Sequence, residues 1–156
     1  MEQPAGNKIT GNPSSHPALS VKWVEDFPDI PLNRNEAYKL RVTSKGVEIE
    51  AITETGVYRA IQTLRQLTEK KGNGIAITGC EITDWPAFRI RGFMQDVGRT
   101  YISTDELKRE IAILARYKIN VFHWHLTENQ AWRLQSKVFP MLNDRLKTTR
   151  KTGKHY

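Results

Sequence analysis

Between Arg91 and Arg133 the chain reads RGFMQDVGRTYISTDELKREIAILARYKINVFHWHLTENQAWR, and its polar residues fall in a pattern. Asp96 and Arg99 stand just past one apolar run; Glu128 and Asn129 stand just past the next. Loops that follow parallel strands are where α/β enzymes usually keep their chemistry. A second possibility is metal binding, because His123-x-His125 puts two imidazoles on one face of a strand with Glu128 close by. Zinc needs a third protein ligand and groups that hold its ligands in place. No further cluster of carboxylates or histidines follows, and His16 and His155 lie in the two tails. The balance favours core histidines and no metal.

The elements that must position these residues are legible from period and caps. Ile90 to Val97 is a mostly buried strand, with Arg99-Thr100-Tyr101 as the loop after it. Ser103 with Glu106 is a capping box, and Ile102 with Leu107 is its hydrophobic staple. Leu107, Ile111, Leu114 and Ala115 make the apolar stripe of the helix, while Lys108, Arg109 and Arg116 face water. Val121 to Leu126 is too apolar for a strand covered on one side, so it is expected to be buried on both faces. Strand, helix and strand joined by short turns predict a right-handed βαβ unit. Trp132 to Met141 reads as a loop or short strand broken by Pro140, and a basic tail follows Asn143.

Upstream, the composition changes. Residues 1–17 hold Pro4, Gly6, Gly11, Pro13 and Pro17 and read as a flexible arm. Val21 to Val24 offers a short strand. Tyr38, Leu40 and Val42, then Val47, Ile49 and Ala51, alternate with polar residues on either side of Ser44-Lys45-Gly46 and predict a hairpin with one apolar face. Thr53 or Thr55 can cap the helix that covers it, whose stripe is Val57, Ile61 and Leu64, flanked by Tyr58 and Leu67. Lys70 and Lys71 suit that helix's C-terminal end, and Gly72 its stop. Ile75 to Ile77 and Cys80 to Ile82 add a strand or two. Trp23 and Tyr38 are expected in the core. Residues 18–84 thus form a small α+β domain without a convergent polar cluster, and a domain junction falls at Asp84-Trp85-Pro86-Ala87-Phe88.

Bulk properties exclude several classes. The net charge is +7, but Arg145, Lys147, Arg150, Lys151 and Lys154 crowd the C-terminal tail, so no nucleic-acid footprint is indicated. The single cysteine, Cys80, rules out an internal disulfide and a multi-cysteine zinc module. No apolar run is long enough to span a membrane. Met1 leads into Glu-Gln-Pro with no signal-peptide pattern, which leaves the compartment undetermined.

Ile82-Thr83-Asp84-Trp85-Pro86, Phe88, Arg91-Gly92, Asp96-Val97, Arg99 and above all Asn120-Val121-Phe122-His123-Trp124-His125-Leu126 resemble the β-N-acetylhexosaminidases of glycoside hydrolase family 20. That family reads P-x-F-x-x-R-G, D-x-x-R-H and N-V-F-H-W-H-L-x-D-D-Q-x-W-R. Tyr38 to Leu67 also resembles its non-catalytic α/β domain. The resemblance implies an α/β fold: a small sheet-and-helix domain, then an incomplete (β/α)8 TIM barrel, of which residues 85–156 carry the first βαβ unit. The whole barrel takes roughly 250 residues, so the chain reads as truncated.

By the same resemblance, Arg99 matches the arginine that binds the outer hydroxyls of the terminal sugar, and its fork of donors suits that task. Glu128 takes the place of the first Asp of the D-D pair, keeping the charge and adding a methylene; Asn129 replaces the second Asp, and Thr100 the histidine after the arginine. Arg91, Asp96, His123 and His125 match internal polar support of the barrel. The implied substrates are glycans or chitooligosaccharides ending in β-linked N-acetylglucosamine or N-acetylgalactosamine, with no cofactor. Hydrolysis in the family is retaining and substrate-assisted, through an Asp-Glu pair in an H-x-G-G-D-E motif. The sole Asp-Glu step here is Asp105-Glu106, which opens a helix, so the chain alone is expected to be inactive and, with unpaired strands, to self-associate. Two alternatives stay open: a fragment of a metal-dependent amidohydrolase-like barrel built on His123-x-His125, and a non-catalytic α/β binding module.

Overall fold

Side-chain alternation builds the first of two units, residues 1–89. Its strands β1 (Lys8–Thr10) and β2 (Ala18–Trp23) precede a hairpin of β3 (Tyr38–Thr43) and β4 (Gly46–Ala51). The computed structural model describes residues 8–10, 18–129 and 131–143. The hairpin pairs Val42 with Val47, Leu40 with Ile49 and Tyr38 with Ala51, so all six lie on one face, and all are buried. Helix α1 (Glu54–Gln66) covers that face. Thr53 caps it by accepting from the Gly56 amide, and Val57, Ile61, Leu64 and the flanking Leu67 pack on the hairpin core. Tyr38, 1 % exposed, keeps its hydroxyl satisfied: it donates to Asp84 Oδ2 (2.9 Å) and shares a 2.6 Å hydrogen bond with Thr63 Oγ1.

After α1 come β5 (Thr68–Lys71), β6 (Gly74–Thr78) and β7 (Cys80–Asp84). The four-stranded sheet runs β2-β4-β3-β7, with β2 parallel to β4 and the other pairs antiparallel. Three expectations are corrected here. The helix stops at Gln66, not at Gly72. Thr68 to Lys71 are all exposed, with no apolar face to hold a helix on the sheet, and instead pair with β6 through a turn that has Gly72 at φ +58°. The flexible arm holds a strand, because β1 pairs antiparallel with the other edge of β6; the rest of the arm lies outside the described residues. Trp23 is 58 % exposed rather than core. Its register with Ala51 puts it on the apolar face, but β2 is the edge strand and α1 packs over β3 and β4.

The second unit, residues 90–156, contains the βαβ element. Strands β8 (Gly92–Asp96) and β9 (Val121–His125) are parallel, with α2 (Thr104–Arg116) between them in sequence. The capping box is complete: Ser103 Oγ accepts from the Glu106 amide, and Glu106 accepts from the Ser103 amide. A short hairpin, β10 (Thr127–Glu128) and β11 (Ala131–Trp132), and a 3₁₀ turn at Pro140–Asn143 follow. Burial of both faces of the strands does not hold. Phe93, Met94, Val121 and Trp124 are exposed, as are Ile111 and Ile113 of α2. Among the described residues this sheet has two strands, which leaves each with one unpaired edge and faces that the sheet cannot cover. The basic tail beyond Asn143 lies outside the described residues. Among the described residues no helix is long and apolar enough to cross a membrane.

Candidate functional site

Register comes first: Asp96 pairs with His125, so the carboxylate closing β8 and the imidazole closing β9 share a face. Past Asp96 the chain folds back on that carboxylate. The amides of Gly98 (2.9 Å) and Arg99 (3.0 Å) both donate to Asp96 Oδ1, while Arg99 Nε donates to Oδ2 at 2.8 Å. The Arg99 amide and, less strongly, the Arg99 charge and the Gly98 amide hold the Asp96 carboxyl below its ordinary range.

Arg99 then reaches across to the other strand end, where Nη2 lies 3.4 Å from Glu128 Oε2. Glu128 sits in the β10–β11 hairpin, and its Oε1 accepts from the Asn129 amide at 3.1 Å. That amide is the main cause of its lowered pKa, with Arg99 and His125 adding to it. His125 Nε2 is 3.4 Å from Glu128 Oε2 but off the line of a hydrogen bond, so the contact is electrostatic when the ring is protonated. The Arg99 side chain is 59 % exposed. One guanidinium is thus held by two carboxylates with donors left facing solvent, a group suited to binding neutral hydroxyls.

Asp96, Arg99, His125 and Glu128 therefore meet, and Asn129 contributes its backbone amide. His123 lies two positions earlier on the same face, its ring centre 6.1 Å from that of His125. Arg91 does not join the cluster. It lies before the N-terminal end of β8, where Nε donates to Lys118 O (2.8 Å) and its amide to Asn120 Oδ1 (2.8 Å). Among the described residues no group of three or more His, Cys, Asp or Glu is placed to hold a metal ion.

Two residues to which the motifs assign no role, Gly98 and Arg133, complete the site. A Cβ on Gly98 would lie 2.9 Å from Glu128 Cβ and 3.3 Å from Asp96 Oδ1, so only glycine lets the two loops approach this closely. Asp96-Val97-Gly98 carries a signal for this, since Asp two residues before Gly is the mark of a side-chain-closed turn. Arg133 donates from Nε to Val97 O at 2.8 Å, a contact across 36 positions with no local signal.

Comparison with known proteins adds the family. Residues 4–85 match glycosyl hydrolase family 20, domain 2, and residues 88–155 match the catalytic domain of the same family. The chain is 41 % identical over 150 residues to a beta-hexosaminidase of Porphyromonas gingivalis, covering 92 % of this chain and 18 % of that protein. It is 39 % identical to a beta-N-acetylhexosaminidase of Cellulomonas fimi, covering 80 % and 25 %. Among solved structures, a family-20 exo beta-N-acetylglucosaminidase from Vibrio harveyi in complex with N-acetylglucosamine matches with a TM-score of 0.68 at 36 % identity, over 80 % of this chain and 18 % of that one. A family-20 beta-N-acetylhexosaminidase from Streptomyces coelicolor matches with a TM-score of 0.69 at 32 % identity, over 81 % and 26 %. The chain thus spans about a fifth to a quarter of the length of these relatives. The expected fold, a small α+β domain followed by the first βαβ unit of a (β/α)8 barrel, agrees with the solved relatives. With the domain-2 match alone spanning more than half of its residues, the chain belongs to glycosyl hydrolase family 20.

Proposed function

We propose that this chain carries the sugar-gripping edge of a β-N-acetylhexosaminidase, an enzyme that removes terminal β-linked N-acetylglucosamine or N-acetylgalactosamine from glycans or chitooligosaccharides. Residues 85–156 belong to its catalytic domain and residues 18–84 to its non-catalytic domain. The observation that carries this reading is the Arg99–Glu128 pair, joined at 3.4 Å past the C-terminal ends of β8 and β9 in a chain of this family. Arg99 donates to the outer hydroxyls of the terminal sugar. Glu128 holds Arg99 and accepts from a neighbouring hydroxyl, while Asp96 fixes the other side of the guanidinium. Asp96, His123, His125, Asn129 and, at the far end of the strands, Arg91 support this edge.

Hydrolysis needs more than this grip. In the substrate-assisted scheme the 2-acetamido oxygen attacks the anomeric carbon, one Asp orients the amide, and the adjacent Glu protonates the leaving oxygen. The Asp105-Glu106 step cannot serve: Glu106 is bound to Ser103 in the capping box, and Asp105 lies 3.5 Å from Lys108. A missing general acid alone costs about 10²–10⁴-fold, so the 156 residues by themselves bind sugar without cleaving it.

The test is a titration of the ¹⁵N-labelled chain with N-acetylglucosamine, beside an assay on a chromogenic N-acetylglucosaminide. The expected result is shifts at Gly98, Arg99, Glu128 and Asn129, binding weakened about tenfold or more by Arg99→Ala, and no turnover above background. Shifts elsewhere only, or turnover that responds to mutation, would overturn the reading.

A further inference from the structure

Arg133 ties together the two loops that carry the Arg99–Glu128 pair. Its backbone N–H donates to Leu126 O at 3.0 Å, two residues before Glu128. Its Nε donates to Val97 O at 2.8 Å, two residues before Arg99. Its guanidinium carbon lies 5.6 Å from the ring centre of Tyr101, two residues beyond Arg99. Val97 is 3 % exposed, and its amide already donates to His125 O at 3.0 Å. A carbonyl at such a position is costly to leave without a donor.

We propose that Arg133 is a positioning residue for sugar binding: by holding the Val97 carbonyl and the Tyr101 ring, it sets the loop that aims Arg99 at Glu128. The proposal rests on the reading of Arg99 and Glu128 as the sugar grip. Lysine cannot replace it, because only a planar guanidinium can bond a carbonyl along its edge while its face lies on an aromatic ring. Arg133→Lys therefore keeps the charge and removes the geometry. Tyr101→Leu removes the ring and keeps the bond to Val97.

The test is NMR on the dilute 156-residue chain, reading hydrogen exchange of the Gly98 and Arg99 amides, which donate to Asp96, together with the Arg99 Nε–H signal. In Arg133→Lys, exchange at those two amides rises about three- to tenfold. The Arg99 Nε–H signal moves toward that of free arginine, and the amides of α2 and β9 keep their protection. Tyr101→Leu gives the same pattern at smaller size, and it decides the matter where Arg133→Lys unfolds the unit. Unchanged Gly98 and Arg99 signals in both variants, or an equal loss across α2 and β9 in Tyr101→Leu, would overturn the positioning role. Titration with N-acetylglucosamine separates the two readings. A loop that loosens in a chain whose wild type binds no sugar sinks the grip and keeps Arg133 as the loop's anchor. Binding weakened without any loosening sinks the positioning role and keeps the grip.

Discussion

Asp96 and Glu128 hold their carboxyls below the ordinary values of 3.8 and 4.5, each chiefly through a backbone amide and then through Arg99. A carboxylate whose folded pKa lies below its unfolded one contributes stability that is present above the unfolded value and lost as pH falls through the folded one. The cluster is therefore intact at neutral pH and comes apart as pH falls through the lowered values of these two carboxyls. Both groups keep part of their side chains in solvent, so the effect concerns local geometry more than global stability. Following the carboxyl ¹³C shifts with pH should place the Asp96 midpoint below 3.8 and that of Glu128 below 4.5. Arg99→Gln keeps the backbone amides and removes the charge, so both midpoints should rise part of the way back. Glu106, lowered by Ser103 at the start of α2, should stay where it is and serves as the internal control. Midpoints of Asp96 and Glu128 that ignore Arg99→Gln would mean that the guanidinium contributes nothing to holding the carboxylates.

At the scale of elements, α2 begins where Ser103 and Glu106 exchange hydrogen bonds. Ser103→Ala leaves the Glu106 amide without its acceptor and should cost about 1 kcal/mol. Hydrogen exchange should register that cost in α2 and spare α1, which Thr53 caps; equal loss in both helices would show that the cap is not what is being measured. This start was legible in the sequence because the signal is local, four residues long and specific in its chemistry. The β3–β4 hairpin was legible for the same reason: alternation fixes which residues share a face. What escaped depends on partners distant in the chain. Thr68 to Lys71 offer nothing locally against a longer helix, and their strand exists because β6 pairs with them. Alternation puts Trp23 on the right face, but cannot say that β2 is an edge. In the site, Asp96, Arg99 and Glu128 stand out as polar residues ending apolar runs and matching family motifs. Gly98 reveals its purpose once Glu128 is beside it, and Arg133 once Val97 is.

For the whole molecule, the deciding question is what the apolar residues of the second unit do in water. Phe93, Met94, Val121 and Trp124 of the β8–β9 pair and Ile111, Ile113 and Tyr117 on and after α2 are all more than a third exposed, whereas α2 fully buries Leu107 alone. Burying one such side chain is worth about 1.5–3 kcal/mol, and each strand also presents an edge unpaired among the described residues. Opposing association is the net charge of +7, but at physiological ionic strength charges are screened beyond about 8 Å. The apolar term wins on these magnitudes, and the chain should self-associate. Light scattering should give a mass above the monomer's 18.0 kDa that rises with protein concentration and with added salt, since salt removes the repulsion and leaves the apolar attraction. Ile113→Glu with Trp124→Glu should lower that mass while leaving exchange protection of α1 unchanged, because α1 packs on the core of the first unit. A sharp 18.0 kDa species at every salt concentration, with full amide protection from Val121 to His125, would mean that these faces are satisfied within one chain, and self-association would then have no driving force.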